Sequence, residues 1–219
     1  MAAVTIGPNR QSVTIEVGAT AFDVVGDKAR KVVVARVNGE LVDLSHRLSD
    51  GDHVEAVEVS DAEGLSVLRH SVAHIVAQAT QVLFPQAKLG IGPPIKDGFF
   101  YDFGIETPFS PEDLEAIEKK AIEIINSGQK FERRITDRNA ASAELAAEPF
   151  KVSLLVADSA EVLAEDVMEV GAGELTIYDN IDLRSGEKRW CDLCRGPHIP
   201  DTRYIDPRAV KIMRSSAAY

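Results

Sequence analysis

Two short patterns, His70-Ser-Val-Ala-His74 and Cys194-Arg-Gly-Pro-His198, constrain the fold of this chain more than any other feature. In each pattern, two side chains that can bind a metal or transfer a proton lie four positions apart. The patterns draw on a small supply of such residues, since the chain has five histidines and two cysteines. A fold that brings them together builds either a metal site or a pocket that handles water.

The first pattern is predicted to lie on a long helix over residues 65–84. Apolar residues with helical spacing form a stripe along this helix. The stripe consists of Leu68, Val72, Ile75, Val76, Ala79, Val82 and Leu83. His70 and His74 lie on the opposite side, where neighbouring alanines leave room for a ligand. The second pattern contains Gly196-Pro197, which cannot continue a helix and therefore predicts a rigid turn.

Three kinds of site are compatible with these residues. With Cys191 included, the second pattern becomes Cys-x-x-Cys-x-x-x-His, which could supply four zinc ligands together with His70 or His74. Cys194 and a histidine could instead form a nucleophile and its base. A metal-free pocket that activates water is the third possibility.

Residues 1–61 predict a small separate domain with the element order β-β-α-β-β-β. The predicted strands cover residues 4–6, 12–17, 32–37, 40–43 and 53–59, and the predicted helix covers residues 20–29. Asn38-Gly39 is a strong signal for a hairpin turn. This order favours a β-grasp, ubiquitin-like fold. Since no catalytic residue types cluster in it, we expect a binding or spacer domain.

Residues 62–219 are predicted to form a larger second domain that mixes helices with antiparallel strands. Ser110 and Pro111 begin a helix that should end at Gly128. The other predicted elements are strands over residues 99–103, 131–135, 174–183 and 188–193 and a helix over residues 139–148. The fold class predicted for the chain is therefore α+β.

Charge and composition restrict the partners. The net charge of −11 argues against a general nucleic-acid binder, but residues 184–219 alone carry +4. Such a local basic face suits one end of an RNA. No apolar run is long enough to span a membrane, and the first residues do not resemble a signal peptide. With two cysteines and no sign of a disulfide framework, we expect a cytoplasmic protein.

An ordered series of segments resembles the amino-terminal part of bacterial threonyl-tRNA synthetases. The segments are Val37-Asn-Gly-Glu-Leu-Val-Asp43, Leu68-Arg-His-Ser-Val-Ala-His74, Gly98-Phe-Phe-Tyr-Asp102, Phe150-Lys151 and Asp192-Leu-Cys-Arg-Gly-Pro-His198. The first domain resembles the TGS domain, and the second resembles the editing domain shared with alanyl-tRNA synthetases. The aminoacylation core, which in the family uses ATP, magnesium and zinc, and the anticodon-binding domain have no counterpart here. The resemblance therefore implies part of a longer, homodimeric enzyme, and this part should not charge tRNA.

The resemblance implies an editing hydrolase. A synthetase for threonine must reject serine, which lacks only a methyl group, and one methylene supplies only about 1–3 kcal/mol of discrimination. A second site that hydrolyses seryl-tRNA(Thr) with a positioned water is the remedy. The implied partners are the acceptor end of tRNA(Thr) and its seryl-adenosine moiety. A non-catalytic module that binds the acceptor end and a zinc-dependent trans-acting deacylase remain alternatives.

The family's pocket residues can be carried over one by one. The catalytic set is His74, Lys151 and His70, and the substrate-binding set is Tyr101, Asp192, Cys194 and His198. Lys151 and His74 are expected to activate water and stabilise charge, and Asp192 to bind the ammonium or hydroxyl of the substrate. We expect no metal. The alternative is zinc held by His70, His74, Cys194 and His198, as the alanine-type relatives suggest.

Overall fold

The computed structural model describes residues 1–156 and 174–216 of the chain, and these residues form an α+β fold. The fold class is therefore as predicted. One five-stranded sheet lies within the first 58 residues, and a three-stranded sheet follows in the second part of the chain. The described residues contain no helix with the length and apolar character that crossing a bilayer requires.

The first sheet has the predicted β-grasp order. Its strands are β1 (Ala2–Ile6), β2 (Gln11–Ile15), β3 (Val32–Val37), β4 (Glu40–Val42) and β5 (His53–Glu58), with α1 (Ala21–Val25) between β2 and β3. The strand order is β2-β1-β5-β3-β4, in which β1 and β5 run parallel. Asn38 and Gly39 both have positive φ, as a type I′ hairpin turn requires.

The helix in this domain is shorter than predicted. It ends at Val25 rather than continuing to residue 29. The Asp27 carboxylate accepts from the backbone N–H groups of Lys31 and Val32 at 2.9 and 3.2 Å. Since an aspartate that binds nearby backbone groups competes with helical bonding, it favours a turn at this point.

Two long helices form the framework of the second part. They are α2 (Ala62–Leu83) and α3 (Pro111–Ser127). The limits predicted for α3 are correct, because Ser110 and Asp113 cap each other's backbone N–H groups at 3.2 and 2.8 Å. The stripe predicted for α2 is only partly right. Val82 is 55% exposed, whereas every residue from 71 to 80 is buried, so the middle of the helix is covered on all sides.

The second sheet and the remaining elements surround α2. The sheet has the antiparallel order β10 (Gln129–Thr136), β11 (Leu175–Asp182) and β12 (Lys188–Leu193). The helix predicted over 139–148 is wrong in extent: α4 (Arg138–Glu144) ends early, and a new helix, α5 (Pro149–Val156), begins at the following proline.

The predicted aromatic strand over residues 99–103 is also wrong. It divides into β8 (Gly98–Phe99) and β9 (Phe103–Gly104), which pair with β7 (Pro94–Ile95) and β6 (Lys88–Leu89) respectively. The chain between β8 and β9 is thereby free to turn inward at Tyr101.

The two parts of the chain pack against each other through β3. Val33 and Val34 belong to the apolar core around α2, while Val32, Ala35 and Val37 belong to the core of the first sheet. One strand thus joins both cores, and this places the β4 end of the first sheet next to the second domain.

Candidate functional site

Separate elements bring all seven predicted site residues into one cluster. The helix α2 supplies two histidines, α5 supplies the lysine, the β8–β9 connection supplies the tyrosine, and β12 with the following turn supplies the remaining three residues. The rings of His70 and His74 lie 4.5 and 4.2 Å from the ring of His198. The sequence patterns that were far apart in the chain therefore meet.

One half of the cluster is charged and fully enclosed. Lys151 and Asp192 are both 0% exposed, and the Lys151 Nζ atom lies 3.2 Å from Asp192 Oδ2. The Tyr101 hydroxyl donates to the same carboxylate oxygen at 2.7 Å. Lys151 Nζ also contacts the carbonyl of Leu193 at 3.5 Å. A buried ion pair is weak evidence for a stabilising role, so its position in a polar cluster points to chemistry.

His74 lies between this charged half and the thiol. Its Nε2 atom is 4.0 Å from Asp192 Oδ2, and its side chain is 1% exposed. Burial lowers the pKa of His74 well below its ordinary value, and the nearby charges of His70 and Lys151 lower it further. Neither ring nitrogen has a hydrogen-bond partner among the described residues. His74 is therefore a neutral imidazole near pH 7 that can bind water or a substrate group.

The other half of the cluster is built around the buried thiol of Cys194. Its Sγ atom lies 3.0 Å from His70 Nε2, 3.4 Å from His198 Nε2 and 3.2 Å from the backbone nitrogen of Gly196. These contacts already satisfy the thiol as a hydrogen-bonding group. A nucleophilic role would need a histidine that removes its proton, and burial lowers the pKa of His198 well below the ordinary value.

Several contacts that the motifs did not reveal hold His198 in place. Its Nδ1 atom lies 3.0 Å from Ser71 Oγ, and its ring stacks on Phe131 at 5.0 Å. Tyr178, fully buried, packs edge-on against the same ring at 4.4 Å. Ser71 lies inside the first motif, so its position one residue after His70 was the signal available in the sequence.

Asp43 reaches the site from the first domain. Its Oδ1 atom accepts from the backbone N–H of His198 at 2.8 Å, and Oδ2 accepts from the Tyr178 hydroxyl at 2.7 Å. Burial raises the pKa of Asp43, and burial together with Asp43 raises the pKa of Tyr178. One carboxylate therefore ties the β-grasp domain to the turn that carries Cys194 and His198.

A cleft of about 1100 Å³ between the two parts of the chain leads to this turn. His70, Gly196 and Pro197 lie in its wall. The wall also contains four arginines and three glutamates, namely Arg36, Arg47, Arg133, Arg195, Glu40, Glu63 and Glu174. The basic residues of 184–219 contribute less free charge than their number suggests, since Arg203 and Arg208 pair with Asp201 and Asp206.

The structure separates Cys191 from the cluster. Successive residues of a strand point to opposite faces, and Asp192 points into the site. The Cys191 Sγ atom lies 3.6 Å from Glu144 Oε1, and burial raises the pKa of its thiol to about 12. The four-ligand set that combined Cys191 with Cys194 is therefore wrong.

The other proposed set of zinc ligands has atoms close enough together to share one metal ion. One nitrogen from each of three histidines and the thiol of Cys194 all lie within 4.8 Å of one another. The residues are His70, His74, Cys194 and His198. Three imidazoles and a thiol match the chemistry of a tetrahedral zinc site.

Comparison with known proteins identifies both parts of the chain. Residues 3–58 match the TGS domain family, and residues 176–218 match the threonyl and alanyl tRNA synthetase second additional domain. The threonine–tRNA ligase of Streptomyces griseus is 55% identical over 211 residues, which are 96% of this chain and 32% of that protein. The ligase of Thermobifida fusca is 53% identical over 94% of this chain and 31% of its own length.

A mycobacterial relative is likewise matched over only part of its own length. The threonine–tRNA ligase of Mycobacteroides abscessus is 56% identical over 86% of this chain and 27% of its own length. The chain thus spans about a third of the length of the curated relatives that it matches. Over that stretch it is similar to threonine–tRNA ligases, and it carries a TGS domain followed by a threonyl and alanyl tRNA synthetase second additional domain.

Proposed function

We propose that this chain contains the editing module of a threonyl-tRNA synthetase, with a TGS domain over residues 1–61 and an editing domain over residues 62–219. The module hydrolyses the ester between serine and the terminal ribose of mischarged tRNA(Thr). The observation that carries this proposal is a fully buried Lys151–Asp192 pair beside His74, a neutral imidazole with no hydrogen-bond partner among the described residues.

In the proposed reaction, a water oxygen adds to the ester carbonyl carbon and the bond to the ribose oxygen breaks. Neutral His74 can accept a hydrogen bond or a proton from that water. The Lys151 ammonium supplies positive charge where the carbonyl oxygen becomes negative. The proton taken from the water passes from His74 to the ribose oxygen as that bond breaks, and the products are serine and a tRNA with a free terminal hydroxyl.

The remaining residues bind the substrate and shape the pocket. Asp192 is suited to the ammonium or hydroxyl of the seryl group, and Tyr101 orients it through their 2.7 Å hydrogen bond. His70 lines the cleft, through which the terminal adenosine would enter. Cys194 and His198 complete the wall beside His70 and His74. The cleft with its four arginines is the proposed route for the acceptor end of the tRNA.

The test of this function compares two esters of the same tRNA. The chain should hydrolyse seryl-tRNA(Thr) and leave threonyl-tRNA(Thr) intact, because the proposed editing pocket excludes the extra methyl group of threonine by its shape. Single-turnover rates measured side by side give the ratio, which weak tRNA affinity would not alter. Equal hydrolysis of both esters would contradict a steric sieve. Binding of tRNA without any hydrolysis would favour a non-catalytic module for the acceptor end.

A zinc-dependent deacylase is the second candidate, because the three histidines and Cys194 fit a zinc site. When bound there, zinc would supply Lewis-acid activation of water. Our expectation is a metal-free site, since the positive charge of Lys151, which acts on His74, would repel a divalent cation.

Zinc content and chelation separate these two candidates. The purified chain should contain substoichiometric zinc, and a chelator should leave its melting temperature and deacylation rate unchanged. Bound zinc would behave differently, because its binding free energy becomes folding free energy. Stoichiometric zinc that leaves together with activity and stability would assign His70, His74, Cys194 and His198 as ligands.

A further inference from the structure

A chain of side-chain hydrogen bonds runs along one side of the site. Trp190 Nε1 donates to Gln81 Oε1 at 2.7 Å, and Gln81 Nε2 donates to Glu148 Oε1 at 2.8 Å. The second oxygen of Glu148 accepts from the backbone N–H of Leu89 at 2.7 Å. The side chains are half-buried, so these bonds are partly shielded from water.

The indole N–H of Trp190 fixes the direction of the hydrogen bonds in this network. An indole N–H can only donate, so Gln81 must present its amide oxygen to Trp190. Gln81 Nε2 then donates to the carbonyl of Ala87 at 3.0 Å and to Glu148. Glu148 receives a donor on each oxygen, and a carboxylate satisfies this requirement whereas an amide does not.

Both ends of this hydrogen-bond network contact groups that the proposed reaction uses. Glu148 directly precedes α5, and its carbonyl accepts from the N–H of Val152 at 3.0 Å in the first turn of the helix that carries Lys151. At the other end, the ring of Trp190 packs edge-on against His74, with centroids 5.6 Å apart. The two groups proposed to act on water are therefore held by one network.

We propose that Glu148 is a positioning residue for ester hydrolysis. It anchors the start of α5 and thereby Lys151, and it fixes Gln81, which orients Trp190 against His74. This inference rests on the proposed editing function. Because Glu148 touches neither water nor substrate in this scheme, its loss should lower kcat and leave KM nearly unchanged.

The Glu148→Gln variant tests this role with almost no change in size. Its amide must place a donor against either Gln81 or the Leu89 N–H. We expect kcat for the seryl ester of adenosine to fall about 10-fold with KM within about twofold, because a small misplacement of catalytic groups is costly. Trp190 is the only tryptophan, so the emission maximum and quenching of its fluorescence should change as well.

The matched control is Glu118→Gln. Like Glu148, Glu118 receives one donor on each oxygen: the Lys211 ammonium at 2.9 Å and the backbone N–H of Ile212 at 2.8 Å, but it lies on α3. We expect this variant to keep wild-type kcat and Trp190 emission. Equal losses in Glu118→Gln and Glu148→Gln would mean that general destabilisation is responsible, and this would overturn the positioning role.

A double variant that exchanges the two side chains at positions 81 and 148 should rescue kcat. In the Gln81→Glu and Glu148→Gln double variant, the new carboxylate still accepts from Trp190 and the new amide oxygen still accepts from Leu89. The bond between positions 81 and 148 re-forms with its direction reversed, because the amide at 148 now donates to the carboxylate at 81. Only the Ala87 carbonyl loses its donor. We expect kcat to return to within about threefold of wild type, as coupled neighbours do. Wild-type kcat and emission in Glu148→Gln would refute the proposal. If the unaltered chain fails to hydrolyse the ester, the editing function fails, while the fluorescence still reports whether Glu148 orients Trp190.

Discussion

The Lys151→Met and His74→Asn variants should each hydrolyse seryl-tRNA(Thr) about 10²-fold more slowly than the unaltered chain in single-turnover experiments. Methionine keeps the length of the lysine stem but removes the charge that faces the ester. Asparagine fills part of the imidazole volume but cannot take up a proton. Near-normal rates in both variants would show that the chemistry lies elsewhere in the cluster.

Stability must be measured in the same experiment, because the site is more enclosed than its sequence suggests. The sequence placed His74 on the side of its helix opposite the apolar stripe, whereas its side chain is only 1% exposed. In the structure Lys151 is 0% exposed and pairs with Asp192. Removing one member of a buried ion pair costs about 3–5 kcal/mol, since the other charge stays unpaired.

A second substitution separates folding from catalysis. Adding Asp192→Asn to Lys151→Met removes the buried negative charge that has lost its lysine, and should recover most of the lost melting temperature without recovering activity. Lys130→Met is the matched control, because Lys130 is 45% exposed and its partner Glu132 is 52% exposed. It should change neither rate nor stability appreciably.

Local signals predicted the fold where the physics is local. The ends of α3 follow from the caps of Ser110 and Asp113, and the β3–β4 turn follows from the positive φ of Asn38 and Gly39. The sequence failed where long-range packing decides. α5 was missed because its short apolar run has no distinctive period, and the division of residues 99–103 depends on pairing with β6 and β7.

The site could be predicted as a set of residues but not as a network. The motifs identified the side chains that meet, because those residue types carry recognisable chemistry. They could not identify Asp43 or Tyr178, whose importance comes from contact across two domains. Alternation along the predicted strand places Cys191 and Asp192 on opposite faces, but which of them meets the site depends on how β12 packs.

Gly196→Ala should be the most damaging single-methyl change in the turn between Cys194 and His198. Gly196 has a φ of +72°, and a Cβ atom there would lie 2.0 Å from the Tyr178 hydroxyl oxygen. The positive φ alone costs about 1–2 kcal/mol for a non-glycine residue, and displacing a buried ring adds to it. We expect a loss of about 3 kcal/mol or more in unfolding free energy, measured by urea denaturation.

A second glycine isolates the cause. Gly186 has nearly the same φ, +73°, but a Cβ atom there would meet nothing within 4 Å. Gly186→Ala should therefore cost only the backbone strain, about 1–2 kcal/mol, and leave deacylation unchanged. Gly196→Ala should in addition lower deacylation about 10²-fold, because the displaced Tyr178 supports His198 and releases Asp43 from its hydrogen bond. If the two alanine variants prove equally stable and equally active, the close packing of the turn against Tyr178 does not position the site.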